Sequence, residues 1–289
     1  MLKKKLNSMN IVKNQVLETS GVKPIVYDLY FEANQKRKPV VIFCHGYKGF
    51  KDWGAWHLVA EAFAEAGFFF LKFNFSHNGG TVQQPIDFPD LEAFAQNNYS
   101  KEVNDLQHVI TFLKSSTEHQ NEIDLTNINL IGHSRGGGIV LITAEEDPDI
   151  SRVITWAGVS DYKIRFNEGS DSFLRWKKTG RMYVENGRTK QQMPHDWQFY
   201  EDFVANEERL TIKRAVSELT KPYLVVHGSN DPTVPIAEAK RLKSWNEKAR
   251  LKIIDGADHI FGAKHPWDLK MLPEQLKEVV RASINFLKK

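Results

Sequence analysis

Along the chain, short apolar runs alternate with longer stretches in which apolar residues return at helical spacing. Pro39–His45 (PVVIFCH) is almost continuously apolar, the pattern of a strand buried on both faces. Phe68–Phe75, Ile128–Gly132, Arg152–Ala157, Tyr223–His227 and Leu251–Ile254 read the same way, and Pro24–Glu32 alternates in part. Between them, Trp53–Ala66 has helical periodicity and stops at Gly67, a residue suited to a helix C-terminus. Tyr99–Lys114 keeps Val103, Leu106, Val109, Ile110 and Leu113 on one stripe. Ile236–Lys248 and Pro273–Leu287 are two further amphipathic helices. Strands in alternation with helices predict an α/β fold, a mainly parallel sheet flanked by helices on both faces.

Two segments interrupt the alternation. Ser76–Asn98 is a long polar connection, and loops of that length tend to be functional or mobile. Ser160–Thr220 separates two buried strands and carries many aromatics among its charges. Within it Arg181–Glu185 and Arg188–Gln192 flank Asn186-Gly187, which predicts a hairpin closed by a type I′ turn. The segment is expected to form a cap over one end of the sheet. The competing reading is a decoration that packs its aromatics into a small core of its own. The expected organisation is a core of residues 1–159 and 221–289 with a cap insertion at 160–220.

Composition narrows the picture only slightly. Of 289 residues, 41% are hydrophobic and 26% charged, which excludes a disordered chain. The formal charge of +3 points neither to nucleic acid nor to an anionic membrane. The one cysteine, Cys44, excludes an internal disulfide and a multi-cysteine zinc framework. Lys3–Lys5 reads as a solvated tail; no apolar stretch follows it as in a secretory signal, and no run is long enough to span a membrane. The expectation is a cytoplasmic monomer or homodimer with no metal and no cofactor.

The chemistry concentrates at strand ends. Asn129–Gly137 reads NLIGHSRGG, an apolar strand followed by Gly-x-Ser-x-Gly and a helical run. A serine on so tight a turn projects its hydroxyl above the sheet, and small neighbours are needed because side chains at the two glycines would collide. A serine hydroxyl needs a base, and the base needs an orienting acid. Asp231 follows the strand Tyr223–His227 and His259 follows Leu251–Ile254, so Ser134, Asp231 and His259 occur in the order that this topology uses. Asp161 is a rival acid, and Asp231 is preferred because a loop there reaches the next strand's histidine. The oxyanion donors expected are the backbone N–H groups of Arg135 and of Tyr47, the latter in the loop His45-Gly46-Tyr47. His45, Gly46, His133, Trp176 and Phe261 are expected to line the substrate site. His265 and Trp267 either line the pocket or anchor the last helix.

On these four pieces (His45-Gly46-Tyr47, Gly132–Gly136, His227–Asp231 and Gly256–His259) the chain resembles the α/β-hydrolase superfamily over nearly its whole length. Within it, the chain is similar to carboxylesterases of the cinnamoyl and feruloyl esterase group and to the catalytic domain of prolyl-oligopeptidase-like enzymes. The resemblance implies an eight-stranded sheet, no cofactor and a cap after the sixth strand. Arg135 departs from it, since that position often holds glutamine or methionine. The leading expectation is a serine hydrolase acting on small-molecule short acyl or aryl esters. A serine peptidase is the second reading, and a non-catalytic binding protein on a hydrolase fold the third.

Overall fold

The apolar runs become the strands of one eight-stranded sheet. The computed structural model describes residues 9–18 and 23–289; the Lys3–Lys5 tail lies outside them. The chain runs β1 (Met9–Leu17), β2 (Ile25–Glu32), β3 (Lys38–Cys44), α1 (Trp56–Glu65), β4 (Phe69–Phe73), α2 (Leu91–Ala95), α3 (Tyr99–Ser115), β5 (Ile123–His133), α4 (Arg135–Glu146) and β6 (Ile150–Trp156). It continues with a short 3-10 turn (Lys163–Phe166), α5 (Asp171–Thr179), β7 (Arg181–Glu185), β8 (Gln192–Asp196), α6 (Gln198–Ala205), α7 (Glu207–Leu210) and α8 (Ile212–Glu218). Then come β9 (Tyr223–Gly228), α9 (Ile236–Trp245), β10 (Arg250–Ile254) and α10 (Glu274–Leu287).

The sheet order is β1-β2-β4-β3-β5-β6-β9-β10. β2 is antiparallel to both β1 and β4, and every other pairing is parallel. Alternate residues of the central strands divide the interior in two. Val40, Ile42 and Leu130 join the apolar cluster that takes in α3, α4, α8 and α9. Val41, Phe43 and Ile131 join the cluster built on α1 and α10. Strands covered on both faces in this way need near-continuous apolar sequence.

β1 has no counterpart among the elements read from periodicity. It is an edge strand whose pairing with β2 shifts register between Val12 and Gln15, with Asn14 at φ 53°. The bulge resets the two-residue period, so the sequence shows no clean alternation.

The insertion after β6 folds as the 3-10 turn, α5, the β7–β8 hairpin, α6 and α7. α8 lies inside the 160–220 span but packs on α4 and α9 as part of the helical layer. The hairpin differs from expectation. Its strands are Arg181–Glu185 and Gln192–Asp196, joined by a six-residue loop in which Asn186 N–H bonds Gln191 O at 2.8 Å. The left-handed residue is Lys190 (φ 60°), and Gly187 keeps an ordinary φ, so no two-residue type I′ turn forms. Asn186 Oδ1 accepts from the N–H of Arg188 at 3.1 Å and folds the loop on itself. The insertion has no separate core: Tyr162, Phe166, Phe173, Trp176, Phe199 and Phe203 belong to the same cluster as β3, β5 and α3.

The connection 76–98 is likewise better packed than its polar sequence predicts. α2 forms within it, and Phe88 and Phe94 bury against Phe50 and against Met193 of the hairpin. Arg181 holds Glu92 through two bonds of 2.8 Å, Gln191 donates to Phe88 O at 3.1 Å, and Arg188 pairs with Asp87. This connection is the seat of the cap.

Candidate active site

β5 delivers Ser134 to the carboxyl edge of the sheet, and α4 begins at the next residue. Ser134 has φ 55° and ψ −118°, a strained conformation for a residue with a side chain. Close packing enforces it. A Cβ on Gly132 would lie 2.2 Å from Gly136 O, and one on Gly136 would lie 2.6 Å from the carbonyls of Cys44 and His45. β3 ends at those carbonyls, so the turn after β5 is wedged against the loop after β3. That loop comes closer still at Gly46, where a Cβ would meet Ser134 Cβ at 2.8 Å. Gly46 is required for this approach and not for a left-handed turn; the positive φ falls on Lys48 (53°).

The backbone N–H groups of Tyr47 and Arg135 have no acceptor among the described residues. They flank Ser134 from the two loops just described, and α4 directs its positive end to the same place. Two open N–H groups beside one serine are the kind of donors an oxyanion needs.

Asp231 and His259 meet across the ends of β9 and β10. His259 Nδ1 lies 2.8 Å from Asp231 Oδ2. Asp231 Oδ1 accepts from the N–H groups of Thr233 and Val234, both at 2.8 Å, which fixes the carboxylate. Burial by itself would raise its pKa, but hydrogen bonds from His227 and His259 and from the Val234 backbone hold it well below the usual range. His227 donates from Nε2 to Val234 O at 2.8 Å and sits 3.4 Å from Asp231 Oδ2. This neighbour was not anticipated, although its place four residues before Asp231 is the available sequence signal. The rival Asp161 accepts from Ile164 N–H at 3.3 Å and has no contact with His259. Asp258 is occupied by the N–H groups of Ile260 and Gly262.

Ser134 and His259 line one small cavity of about 160 Å³ together with His45, Gly46, Tyr47 and His133. The serine hydroxyl makes no hydrogen bond to His259 here, and such contacts commonly tighten only when substrate binds. His133 Nε2 sits 3.0 Å from His259 O and supports the histidine loop. Burial lowers the pKa of His133 to about 3 and that of His45 to about 4, so both rings are neutral at working pH.

Ser134 also opens on a larger cavity of about 390 Å³ beneath the cap, where Trp176, Phe166 and Phe199 form part of the wall. The expected lining residue Phe261 is in neither cavity. Its side chain is fully buried in the cluster behind β10 and α10, because the turn after His259 (φ 54° at Phe261) sends it inward. His265 accepts from Gly54 N–H at 2.9 Å and packs on Trp53, while Trp267 packs against the cluster that includes α10; neither lines the two cavities at Ser134. No cluster of metal-ligating side chains occurs among the described residues.

A family model described as the α/β-hydrolase fold matches residues 39–182, from β3 to the cap hairpin. The chain has the α/β-hydrolase fold. Among curated relatives of this α/β-hydrolase, the "Putative esterase/lipase 2" of Mycoplasma genitalium is 24% identical over 260 residues, spanning 83% of this chain and 90% of that one. Among solved structures, Est1E from Butyrivibrio proteoclasticus with ferulic acid bound superposes with a TM-score of 0.70 at 20% identity, covering 95% and 100% of the two chains. An esterase domain from Rhodothermus marinus gives 0.64 at 20% identity, covering 96% and 97%. No described helix is long and apolar enough to cross a membrane.

Proposed function

We propose that this α/β-hydrolase cleaves carboxylic esters of small molecules through Ser134, His259 and Asp231. The observation that carries the reading is the 2.8 Å bond from His259 Nδ1 to a carboxylate already held by two backbone N–H groups. With Nδ1–H given to Asp231, Nε2 keeps its lone pair for the serine proton. Ser134 Oγ attacks the ester carbonyl as His259 takes its proton. The N–H groups of Tyr47 and Arg135 donate hydrogen bonds to the developing oxyanion. Collapse of the tetrahedral intermediate expels the alcohol, which receives the proton from His259. Water, deprotonated by the same imidazole, then releases the acid and restores the serine.

The esterase names among the relatives support the same class, and the two cavities meeting at Ser134 give room for the two arms of an ester. The apolar, aromatic wall of the larger cavity favours ring-bearing or short aliphatic groups. The test is turnover of 4-nitrophenyl acetate and butyrate together with labelling by a fluorophosphonate. Ser134→Ala is expected to lose activity by at least about 10³-fold and to abolish labelling. Activity retained in that variant, or a label found on another residue, overturns the assignment.

A further inference from the structure

The cavity beneath the cap is apolar in shape but not in charge. Two arginines, Arg135 and Arg165, line it, and no carboxylate does among the described residues. Arg135 is the residue after Ser134, so its backbone serves the oxyanion site while its side chain enters the cavity. Its guanidinium is 4.3 Å from the Tyr47 ring centroid, 5.2 Å from that of Tyr99 and 5.4 Å from that of Phe199. It gives a single N–H to protein, from Nη1 to Glu102 Oε1 at 3.3 Å, longer than the usual contact of charged partners. The other four N–H donors have no protein acceptor among the described residues. Arg165 spends Nη2 on both oxygens of Glu238, each at 2.8 Å, and leaves Nη1 and Nε open. Of the uncharged polar side chains in the wall, His195 is bonded to Tyr47 Oη at 2.7 Å and Tyr162 Oη donates to Arg135 O at 2.8 Å.

A fork of unused donors in a ring-lined cavity calls for an acceptor. The rings exclude water and strengthen any charge interaction inside. Glu102 and Glu238 balance the arginines from behind, outside the cavity lining, so a ligand entering from Ser134 meets the cationic side. The first turn of α4 adds its own positive end.

We propose that the cavity under the cap receives an ester arm that ends in a carboxylate, anchored by the Arg135 fork and assisted by Arg165. The preferred substrates are then half-esters of dicarboxylic acids or esters of carboxylated alcohols, and not neutral esters of the same size. The proposal rests on the ester-hydrolase reading and names the substrate class within it.

Two substrate pairs test it. 4-Nitrophenyl hemiglutarate against 4-nitrophenyl valerate places the charge on the acyl arm; 4-acetoxybenzoate against 4-tolyl acetate places it on the alcohol arm. In one pair the charged member is expected to have kcat/KM at least about tenfold above its neutral partner, the gain lying in KM. Arg135→Met is expected to bring that ratio to about one, Arg135→Lys to keep part of it, and Arg165→Met to lower it less. If Arg135→Met does not fold, binding to Ser134→Ala decides: 4-toluate is expected to perturb tryptophan fluorescence and to weaken with salt, and 4-toluamide to bind less tightly. The inference is overturned if neither pair favours the carboxylate, if the preference survives Arg135→Met, or if toluate binds no better than its amide. Neutral esters turned over without any carboxylate preference sink this inference alone; failure of every ester sinks the hydrolase reading, while the toluate comparison still judges the anion site.

Discussion

At the residue scale, the site is set by how closely backbones approach. Gly132, Gly136 and Gly46 are all placed where a single methyl group would collide with main chain or with Ser134. Gly46→Ala therefore forces the loop bearing the Tyr47 N–H away from the serine. A displacement near an ångström at this proposed oxyanion donor is expected to reduce kcat by ~10²-fold with little change in KM, read from steady-state kinetics on 4-nitrophenyl butyrate. The candidate triad was legible because each member ends a strand, and strand ends can be read from apolar runs. Phe261 is not placed by its sequence, because nearness to His259 along the chain says nothing of which way a side chain turns. The Tyr47–His195 bond joins residues 148 positions apart, and no local pattern announces such a pair.

Among the elements, the sheet's antiparallel corner rests on buried charge. Asp28 of β2 and Lys72 of β4 are fully buried and bonded at 2.5 Å. Lys51 bonds Asp28 at 2.8 Å and Asn14 of β1 at 2.7 Å, and Asp52 completes the group. Burial would raise the Asp52 pKa, but Lys72 and Lys51 hold it well below the usual range. Lys51 N–H also bonds Asn74 Oδ1 at 2.6 Å, so the loop leading from Tyr47 is tied to the same corner. Removing one partner leaves its counter-charge stranded. Lys72→Met is expected to cost ~3–5 kcal/mol in chemical denaturation, whereas a change at exposed Lys36 is expected to cost almost nothing. The paired lysines and aspartates were invisible in a chain of balanced charge, where each reads as an ordinary surface residue. β1, which the network anchors through Asn14, was missed for the related reason that its bulge hides its period.

For the whole molecule, buried titratable groups set how stability depends on pH. Asp105 on α3 accepts from Ser76 N–H at 2.8 Å and Oγ at 2.9 Å, and burial pushes its pKa to about 7 from 3.8. The native state then holds a proton that the unfolded chain has released. Its contribution is unchanged below pH 3.8, and stability falls as pH rises from there to about 7. His45 and His133 act in the opposite sense, since burial lowers both pKa values and stability is lost as pH falls below 6.5. Asp105→Asn isolates the first effect. Its melting temperature is expected to exceed that of the native chain by several degrees at pH 8, with each kcal/mol worth roughly 2–4 °C, and to match it at pH 4. The general architecture was readable from alternation alone, because strands buried on two faces have few other sequences open to them. The depth at which the 76–98 connection packs was not readable, because its aromatics are few and widely spaced.

That shared interior bears on how the cap behaves. A hinged flap must leave its resting place without baring much oil to water, yet Phe166, Trp176 and Phe199 are rooted in the same interior as the central strands. Lifting the whole segment would expose rings on both sides of the parting. Rotation of a few rim side chains costs far less and is enough to admit a guest of modest size. Specificity in such a design is rewritten by exchanging rings one at a time, without adding or trimming chain.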